Sequence, residues 1–375
     1  MYPLRDDAFI CPTPTPAQTA YYTHLGETIF DQFLESTLTK CSAVAWDHVA
    51  SYNTVELYKG TSANGGKAFT KAKATIEEIA HIHSFETREQ CRHFAEHYAD
   101  DLLDMFTLYN FVPRTKADPF KQVYLKWTAC ASPIAGAVRN RDFTYLECQD
   151  AFETPAGRRG WAFCQLSVDL PFLPSFESTE LGLVRGRLMR TGCVFVETET
   201  PGVVDVIYHI CADLQGHIPH WTYKLGMKTR AMSVLHIEKN VHRLRLSATS
   251  LTGPKPSSKL PKPSMHCAVC TRPFRFHRVR YCQSCSKAVC SKCSHKYKLP
   301  DSETDPVRVC ARCTEVVRAG PNLELTAYGC STPLSESSSN HSQSWWLPET
   351  PTTKREALTS PMVDLGYLKP FGATS

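Results

Sequence analysis

Cys267-Ala268-Val269-Cys270, Cys282-Gln283-Ser284-Cys285, Cys290-Ser291-Lys292-Cys293 and Cys310-Ala311-Arg312-Cys313 place eight thiols in four pairs, each pair two residues apart. That spacing lets both sulfurs of a pair reach one tetrahedral zinc, so four pairs make two four-coordinate sites. The gaps between pairs are 11, 4 and 16 residues. Such gaps are too short to enclose a hydrophobic core, so metal supplies most of the folding free energy of this stretch. With four thiolates per ion the sites are structural and closed to catalysis. Spacing alone leaves sequential and interleaved pairing both open. Disulfides are the competing account, but residues 1–20, MYPLRDDAFICPTPTPAQTA, lack the apolar run of a secretory leader, and no 18-residue apolar stretch could span a bilayer. A reducing compartment is therefore expected.

The middle spacing, C-x2-C-x4-C-x2-C from Cys282 to Cys293, resembles that of a FYVE zinc finger. A RING puts histidine among those ligands, with tighter middle gaps. The resemblance implies interleaved sites: Cys267, Cys270, Cys290 and Cys293 on one zinc, Cys282, Cys285, Cys310 and Cys313 on the other. It also implies recognition of the phosphatidylinositol 3-phosphate head group by a basic and histidine run before the third cysteine and an Arg-Val-Cys before the seventh. Arg308-Val309-Cys310 matches the second element. Before Cys282 stands Arg278-Val279-Arg280-Tyr281, where the family has two basic residues and two histidines. Lys262-Pro263-Ser264-Met265-His266 replaces the leading tryptophan-and-aspartate motif, and Ser286 replaces a glycine. The finger is thus FYVE-like, with Arg278, Arg280 and Arg308 as anion contacts and weakened preference for the 3-phosphate. Phe274 and Phe276 flank Arg275 where the family's apolar loop enters the lipid interface, which makes them the membrane-insertion candidates.

Charge points the same way. Residues 265–320 hold 11 Lys and Arg against 4 Asp and Glu, a net of +7 in a chain of net +5. Each cation near an anionic leaflet adds about 1 kcal/mol of attraction. Nucleic acid would suit the charge, but no aromatic-basic recognition motif accompanies it.

The full 375-residue chain is 42% hydrophobic, ample for one large domain besides the finger. Residues 1–14 are proline-broken and irregular. Thr15-Pro16-Ala17-Gln18 is a capping box that starts a helix with Tyr21, Leu25, Ile29 and Phe33 as its apolar stripe. Residues 46–59 read as extended, and residues 62–66 (SANGG) as the turn of a hairpin. Thr87-Arg88-Glu89-Gln90 repeats the capping box, with Cys91, Phe94, Ala95, Tyr98, Leu102 and Phe106 at helical spacing behind it. From Gln122 the texture is β: QVYLKWTAC, RDFTYLECQDAF, WAFCQLSVDL, LVRGRLMRTGCVFVETET and VVDVIYHICADL, separated by Pro and Gly turns. Pro219 and Trp221 open a final long helix with Leu225, Met232, Leu235, Val241 and Leu244 on one side.

Residues 138–146 (VRNRDFTYL) and 213–221 (DLQGHIPHW) resemble, in that order, a strand of the START domain and the entry into its last helix. The resemblance covers residues 15–247 and implies an α+β helix-grip fold, a curved antiparallel sheet gripping a long C-terminal helix, with one lipid in a tunnel between them. Trp161, Phe163, Phe195, Tyr208 and Trp221 read as core, Arg141-Asp142 as scaffold, and no cavity residue is singled out. Residues 248–264 form a Pro- and Lys-rich linker, 265–320 the cross-brace finger with two zincs, and 321–375 a Ser/Thr/Pro-rich disordered tail. Ser360-Pro361 and Thr350-Pro351 are candidate phosphorylation sites in that tail, and Trp345-Trp346-Leu347 a candidate protein-docking motif.

No H-E-x-x-H, G-x-S-x-G or P-loop motif is present, and Cys164, Cys193 and Cys211 in strand-like runs behave as small hydrophobes. The expectation is a non-enzymatic, cytoplasmic protein, peripheral on endosomal or other anionic membranes. It would hold a lipid and use its finger on anionic or phosphoinositide surfaces. The rival readings are an adaptor whose finger binds protein and, less well supported by the x4 gap and the all-cysteine ligands, a ubiquitin ligase.

Overall fold

The computed structural model describes residues 2–38, 46–60, 65–252, 264–274, 279–299 and 306–319. Among them the chain forms two compact units, one running to Asn240 and one starting at Val241. The tail calls and Phe276 and Arg278 lie outside the described residues.

The first unit opens with helix α1 (Pro16–Leu38). Its capping box is formed: Gln18 N donates to Thr15 Oγ1 at 3.2 Å and Thr15 N to Gln18 Oε1 at 2.8 Å. The buried face holds Ile29, Phe30, Phe33, Leu34 and Leu38. The expected stripe is turned slightly at its start, since Tyr21 is 62% exposed while Tyr22 packs toward the core. Strands β1 (Trp46–Tyr52), β2 (Val55–Gly60) and β3 (Gly65–Ala72) follow. The single extended segment expected over 46–59 is broken by a turn at Asn53, whose φ of 51° is left-handed. Helix α2 (Ile76–Ile82) has its own capping box from Thr75 and Glu78, and α3 (Arg88–His97) the expected one from Thr87 and Gln90. Leu102 and Phe106 do not continue α3. They belong to strand β4 (Leu102–Val112), where Met105 and Phe106 are both buried.

Strands β5 (Gln122–Cys130), β6 (Arg141–Glu153), β7 (Arg159–Ser167), β8 (Val184–Arg185), β9 (Arg187–Glu197) and β10 (Val204–Asp213) match the five β-like runs. They complete a sheet in the order β1-β2-β3-β10-β9-β7-β6-β5-β4, antiparallel throughout except where β8 pairs with β6. Alternation along the strands sorts side chains onto two faces. Val123, Leu146, Cys148, Ala162, Cys164, Val194 and Val196 form one core cluster with α1. The approach is close: a Cβ on Gly192 would stand 2.1 Å from the Phe163 carbonyl oxygen and 2.8 Å from the Phe33 ring. The chain then enters helix α4 (His220–Met232), a 3-10 turn (Ser233–Leu235) and helix α5 (His236–Thr252). The terminal helix is thus interrupted at Ser233, and Trp221, expected in the core, is 62% exposed. The architecture is α+β, a large antiparallel sheet with C-terminal helices.

The second unit contains β11 (Arg280–Tyr281) paired with β12 (Ala288–Val289), a 3-10 turn (Ser291–Cys293), β13 (Ser294–Tyr297) paired with β14 (Val307–Cys310), and α6 (Ala311–Ala319). Its small core is Phe274, Ala288, Val289, Leu299, Val309 and Val317, joined by Leu246 from α5. Arg243 Nη2 donates to Lys298 O at 2.8 Å and Arg245 Nη1 to Arg318 O at 3.4 Å. The expected linker over 248–264 therefore starts later than its composition suggested: residues 248–252 are still helical, and the finger's core reaches back to Leu246. Residues 253–263 are outside the described set.

Candidate metal centres and ligand site

Each Cys-x-x-Cys knuckle brings two sulfurs together, and the β11-β12 and β13-β14 hairpins bring the knuckles together alternately. Cys267, Cys270, Cys290 and Cys293 form one quartet and Cys282, Cys285, Cys310 and Cys313 the other, with the sulfurs of each within 4.8 Å of one another. The interleaved arrangement holds, and the sequential alternative falls. Cys270 and Cys290 sulfurs are 3.9 Å apart and those of Cys285 and Cys310 4.0 Å. A Zn–S bond of about 2.3 Å gives a tetrahedral edge of about 3.8 Å. The separations thus fit a shared metal and are far too long for disulfides, which require about 2.05 Å. Backbone amides turn toward the sulfurs as well: Cys290 N lies 3.4 Å from Cys267 Sγ and Cys310 N 3.3 Å from Cys282 Sγ. Such N–H groups stabilise thiolates, and soft all-sulfur tetrahedra suit zinc.

Around these centres, Arg280 on β11 and Arg308 on β14 are both part-exposed. Gln283 N donates to Arg308 O at 2.8 Å, which ties the second knuckle to β14, and Arg308 Nη1 donates to Ser294 Oγ at 2.9 Å. Phe274 corrects its expectation: at 5% exposure it is a core side chain of the finger and has no surface left for a bilayer. The sequence offered two phenylalanines around Arg275, and a domain with so few apolar residues keeps the one nearer Cys270 for its interior.

In the sheet unit, the face opposite α1 carries a buried polar network that sequence reading missed. In the register Tyr124 lies opposite Glu147 and Glu147 opposite Gln165. The Glu147 carboxylate accepts from Tyr124 Oη at 2.6 Å, Gln149 Nε2 at 2.8 Å and Gln165 Nε2 at 2.6 Å, and Lys126 Nζ stands 3.5 Å away. Burial pushes the Glu147 carboxyl upward, but Lys126 and these three donors outweigh it and hold it below its ordinary value. Lys126, buried, is pushed down, and its ammonium sits 3.7 Å from the centre of the Phe85 ring. Arg114 donates to Ala80 O at 2.8 Å and also reaches Gln149 Oε1. His83 Nδ1 donates to Ile79 O at 2.8 Å, its ring 5.2 Å from Phe163 and 5.7 Å from Trp161. Burial among these rings lowers its pKa to about 4. Gln122, opposite Gln149 on the same face, has no exposure and no partner for either amide atom among the described residues. The signal was available: Lys126 and Glu147 are charges in the middle of the strand-like runs QVYLKWTAC and RDFTYLECQDAF.

The other expectations divide. Arg141 and Asp142 are scaffold, though not paired with each other, because neighbours on a strand point to opposite faces. Asp142 accepts from Arg185 at 2.7 Å and Trp127 Nε1 at 2.8 Å, while Arg141 donates to Leu214 O and Gln215 O at 3.1 and 3.0 Å. Trp161, Phe195 and Tyr208 are buried and Phe163 half-buried. Burial raises the Cys164, Cys193 and Cys211 thiols away from reactivity.

Residues 105–249 match the family model of the START domain, and residues 260–319 that of the FYVE zinc finger. Among solved structures the chain is similar to human StAR-related lipid transfer protein 5, at 15% identity and a TM-score of 0.48, covering 60% of this chain and 99% of that one. It is similar to human STARD10 at 14% and 0.44, covering 65% and 87%. It is similar to the lipid transfer and protein localization domain of human StarD13 at 16% and 0.38, covering 61% and 98%. A search of curated proteins gives no match.

Proposed function

We propose, for a chain in which a START domain is followed by a FYVE zinc finger, a non-enzymatic peripheral membrane protein that holds one lipid in the first and associates with anionic or phosphoinositide membranes through the second. The observation that carries this is the joining of the two modules on one chain, each with an intact signature of its own: interleaved cysteine quartets in the finger and a large antiparallel sheet with C-terminal helices in the other. The fully buried and unpartnered Gln122 amide beside the Glu147 network supports a polar guest on that face, since buried amide groups without hydrogen bonds cost about 1–3 kcal/mol. The ligand would be mostly apolar, with a polar end toward Gln122 and Gln149.

The finger holds two zincs as folding elements. Arg280, Arg308 and Arg278 supply cationic donors to a phosphorylated head group, with weaker discrimination for the 3-phosphate than the two missing histidines would give. The working location is the cytoplasmic face of endosomal or other anionic membranes. Native mass spectrometry of the purified chain tests both halves at once, with two zincs and one lipid-sized adduct as the expected masses. Two zincs with no adduct in protein taken from a lipid-rich source would overturn the lipid reading and favour an adaptor. Sedimentation with phosphatidylserine vesicles, with and without phosphatidylinositol 3-phosphate, tests the finger. Binding to both, nearly flat from pH 6 to 8 and only slightly stronger with the 3-phosphate, is expected; strict dependence on it would overturn the weakened preference.

A further inference from the structure

Beside the second cysteine quartet the finger carries a groove of about 310 Å³. Its apolar lining comes from Val269 on the first knuckle and from Val316 and Val317 on α6, and Cys285, Cys310 and Cys313 line it as well. Val317 is buried, but Val316 is 68% exposed, although this domain has few apolar side chains with which to build its core. Two cations complete the lining. Lys287 and Arg312 are both exposed, and among the described residues neither side chain has a carboxylate or hydrogen-bond partner.

The chain itself supplies a complement. Helix α6 ends at Ala319, and residues 321–353, which lie outside the described residues, contain Glu324, Glu336 and Glu349 and no Lys or Arg. Within them Trp345-Trp346-Leu347 puts three large apolar side chains in a row, two positions before Glu349. Residues 320–344 separate α6 from this motif. A stretch of that length spans up to about 80 Å, whereas the nine residues of α6 make a helix only about 14 Å long. The motif can therefore turn back onto any face of the finger.

We propose that the groove is the docking site of this chain's own Trp345-Trp346-Leu347 segment, which packs on Val269, Val316 and Val317 with Glu349 toward Lys287 and Arg312. Charge selects an acidic occupant, since residues 265–320 are net +7 and residues 321–353 net −3. Chemistry selects tryptophan: it is the commonest anchor of well-packed interfaces, and its indole brings a hydrogen-bond donor and no acceptor, which suits a lining of thiolate sulfurs that accept from N–H groups. Tethering selects the chain's own segment over that of a second copy, because a segment on the same chain meets the groove at an effective concentration of about a millimolar. A bilayer is a poorer occupant, because a concave groove admits single side chains and a flat surface does not enter it.

The test uses the full chain and a labelled synthetic peptide of residues 341–352. In a chain carrying Trp345→Ala, Trp346→Ala and Leu347→Ala the groove is left open, and the peptide should bind it. Its affinity for the wild-type chain should be at least tenfold weaker, because the tethered copy competes. Adding Val316→Asp to the alanine-substituted chain, or Lys287→Glu with Arg312→Glu, should weaken peptide binding about tenfold or more. Native mass spectra should show two zincs in every variant, since these three side chains are exposed; if Val316→Asp alone loses metal, the charge-reversed pair decides. Equal peptide affinity for the wild-type and alanine-substituted chains, or no binding to either, would overturn the proposal. So would binding that neither Val316→Asp nor the charge reversal alters, which would place the peptide elsewhere. A concentration-dependent dimer of the wild type, lost on substituting the three motif residues, would overturn it too by giving the groove to the second copy.

Discussion

In the sheet unit, Phe30, Phe33, Trp127 and Trp161 are fully buried, and whole strands such as β5 and β6 are covered on both faces. In the finger, few side chains besides Leu246, Val289, Val309, Cys267 and Cys282 reach that depth. Burying a large apolar side chain contributes about 1.5–3 kcal/mol, so the first unit accumulates stability from many independent contacts. The second concentrates it in two clusters of four sulfurs. Damage to the sheet unit should therefore be graded, and damage to the finger close to all-or-none.

The largest expected effect follows from that contrast. Cys290→Ser leaves a three-sulfur site, and chelation empties both. Either should abolish the finger's amide protection in hydrogen exchange, with zinc content falling from two to one or none, while the strands β5, β6 and β7 keep theirs. Simultaneous loss of protection in both units would break the contrast. Phe33→Ala, on the buried face of α1 and over Gly192, should cost the sheet unit about 3–5 kcal/mol in urea unfolding with two zincs retained; a lower zinc content would again show that the units do not fail separately.

Acid should single out the sheet unit next. Burial lowers the pKa of His83 to about 4, and burial with Lys67 and Arg190 nearby lowers that of His209 to about 3. The unfolded chain takes up protons near pH 6.5 and the folded chain only well below that. The stability from these two rings is thus complete above pH 6.5 and is lost as pH falls toward 4. By pH 5 the loss should be about 2 kcal/mol per ring, visible as a drop in the urea midpoint of tryptophan emission. An unchanged midpoint between pH 7 and pH 5 would mean that the rings are hydrated. The smallest effect belongs to the finger's surface: Arg280→Gln should weaken association with anionic vesicles by about 1 kcal/mol at low salt and by far less near 1 M salt, where charges are screened over about 3 Å. An equal loss at both salt concentrations would point to a structural role for Arg280.

The strands were legible because their apolar, β-branched and aromatic runs are long and cleanly separated by Pro and Gly, and α1 and α3 because Thr15 and Thr87 carry a glutamine three residues on. Thr75-Ile76-Glu77-Glu78 carries the same signature before α2 and went unread, its helix being too short to show a periodic stripe. Leu102 and Phe106 misled for the opposite reason: apolar residues four apart suit one face of a helix, whereas on β4 a register shift after Leu102 sends the two into different clusters. The quartets were legible as a ligand set from spacing, but their interleaving depends on two hairpins whose strands are two to four residues long, below what periodicity detects. Phe274 and Trp221 were misplaced in opposite directions. Burial of a single aromatic depends on what packs over it, and nothing local in the sequence records that.

The interleaving sets an order of events during synthesis. When Cys293 leaves the ribosome the first quartet is complete, whereas Cys282 and Cys285, inside the loop it closes, still wait for Cys310 and Cys313. For the length of chain between residues 294 and 309, the nascent finger can hold one metal and two unmatched thiols. Slow decoding there would lengthen the exposure of those thiols to oxidants or to a competing ion, and a chain ended within that interval would keep half of its metal and never complete strand β14.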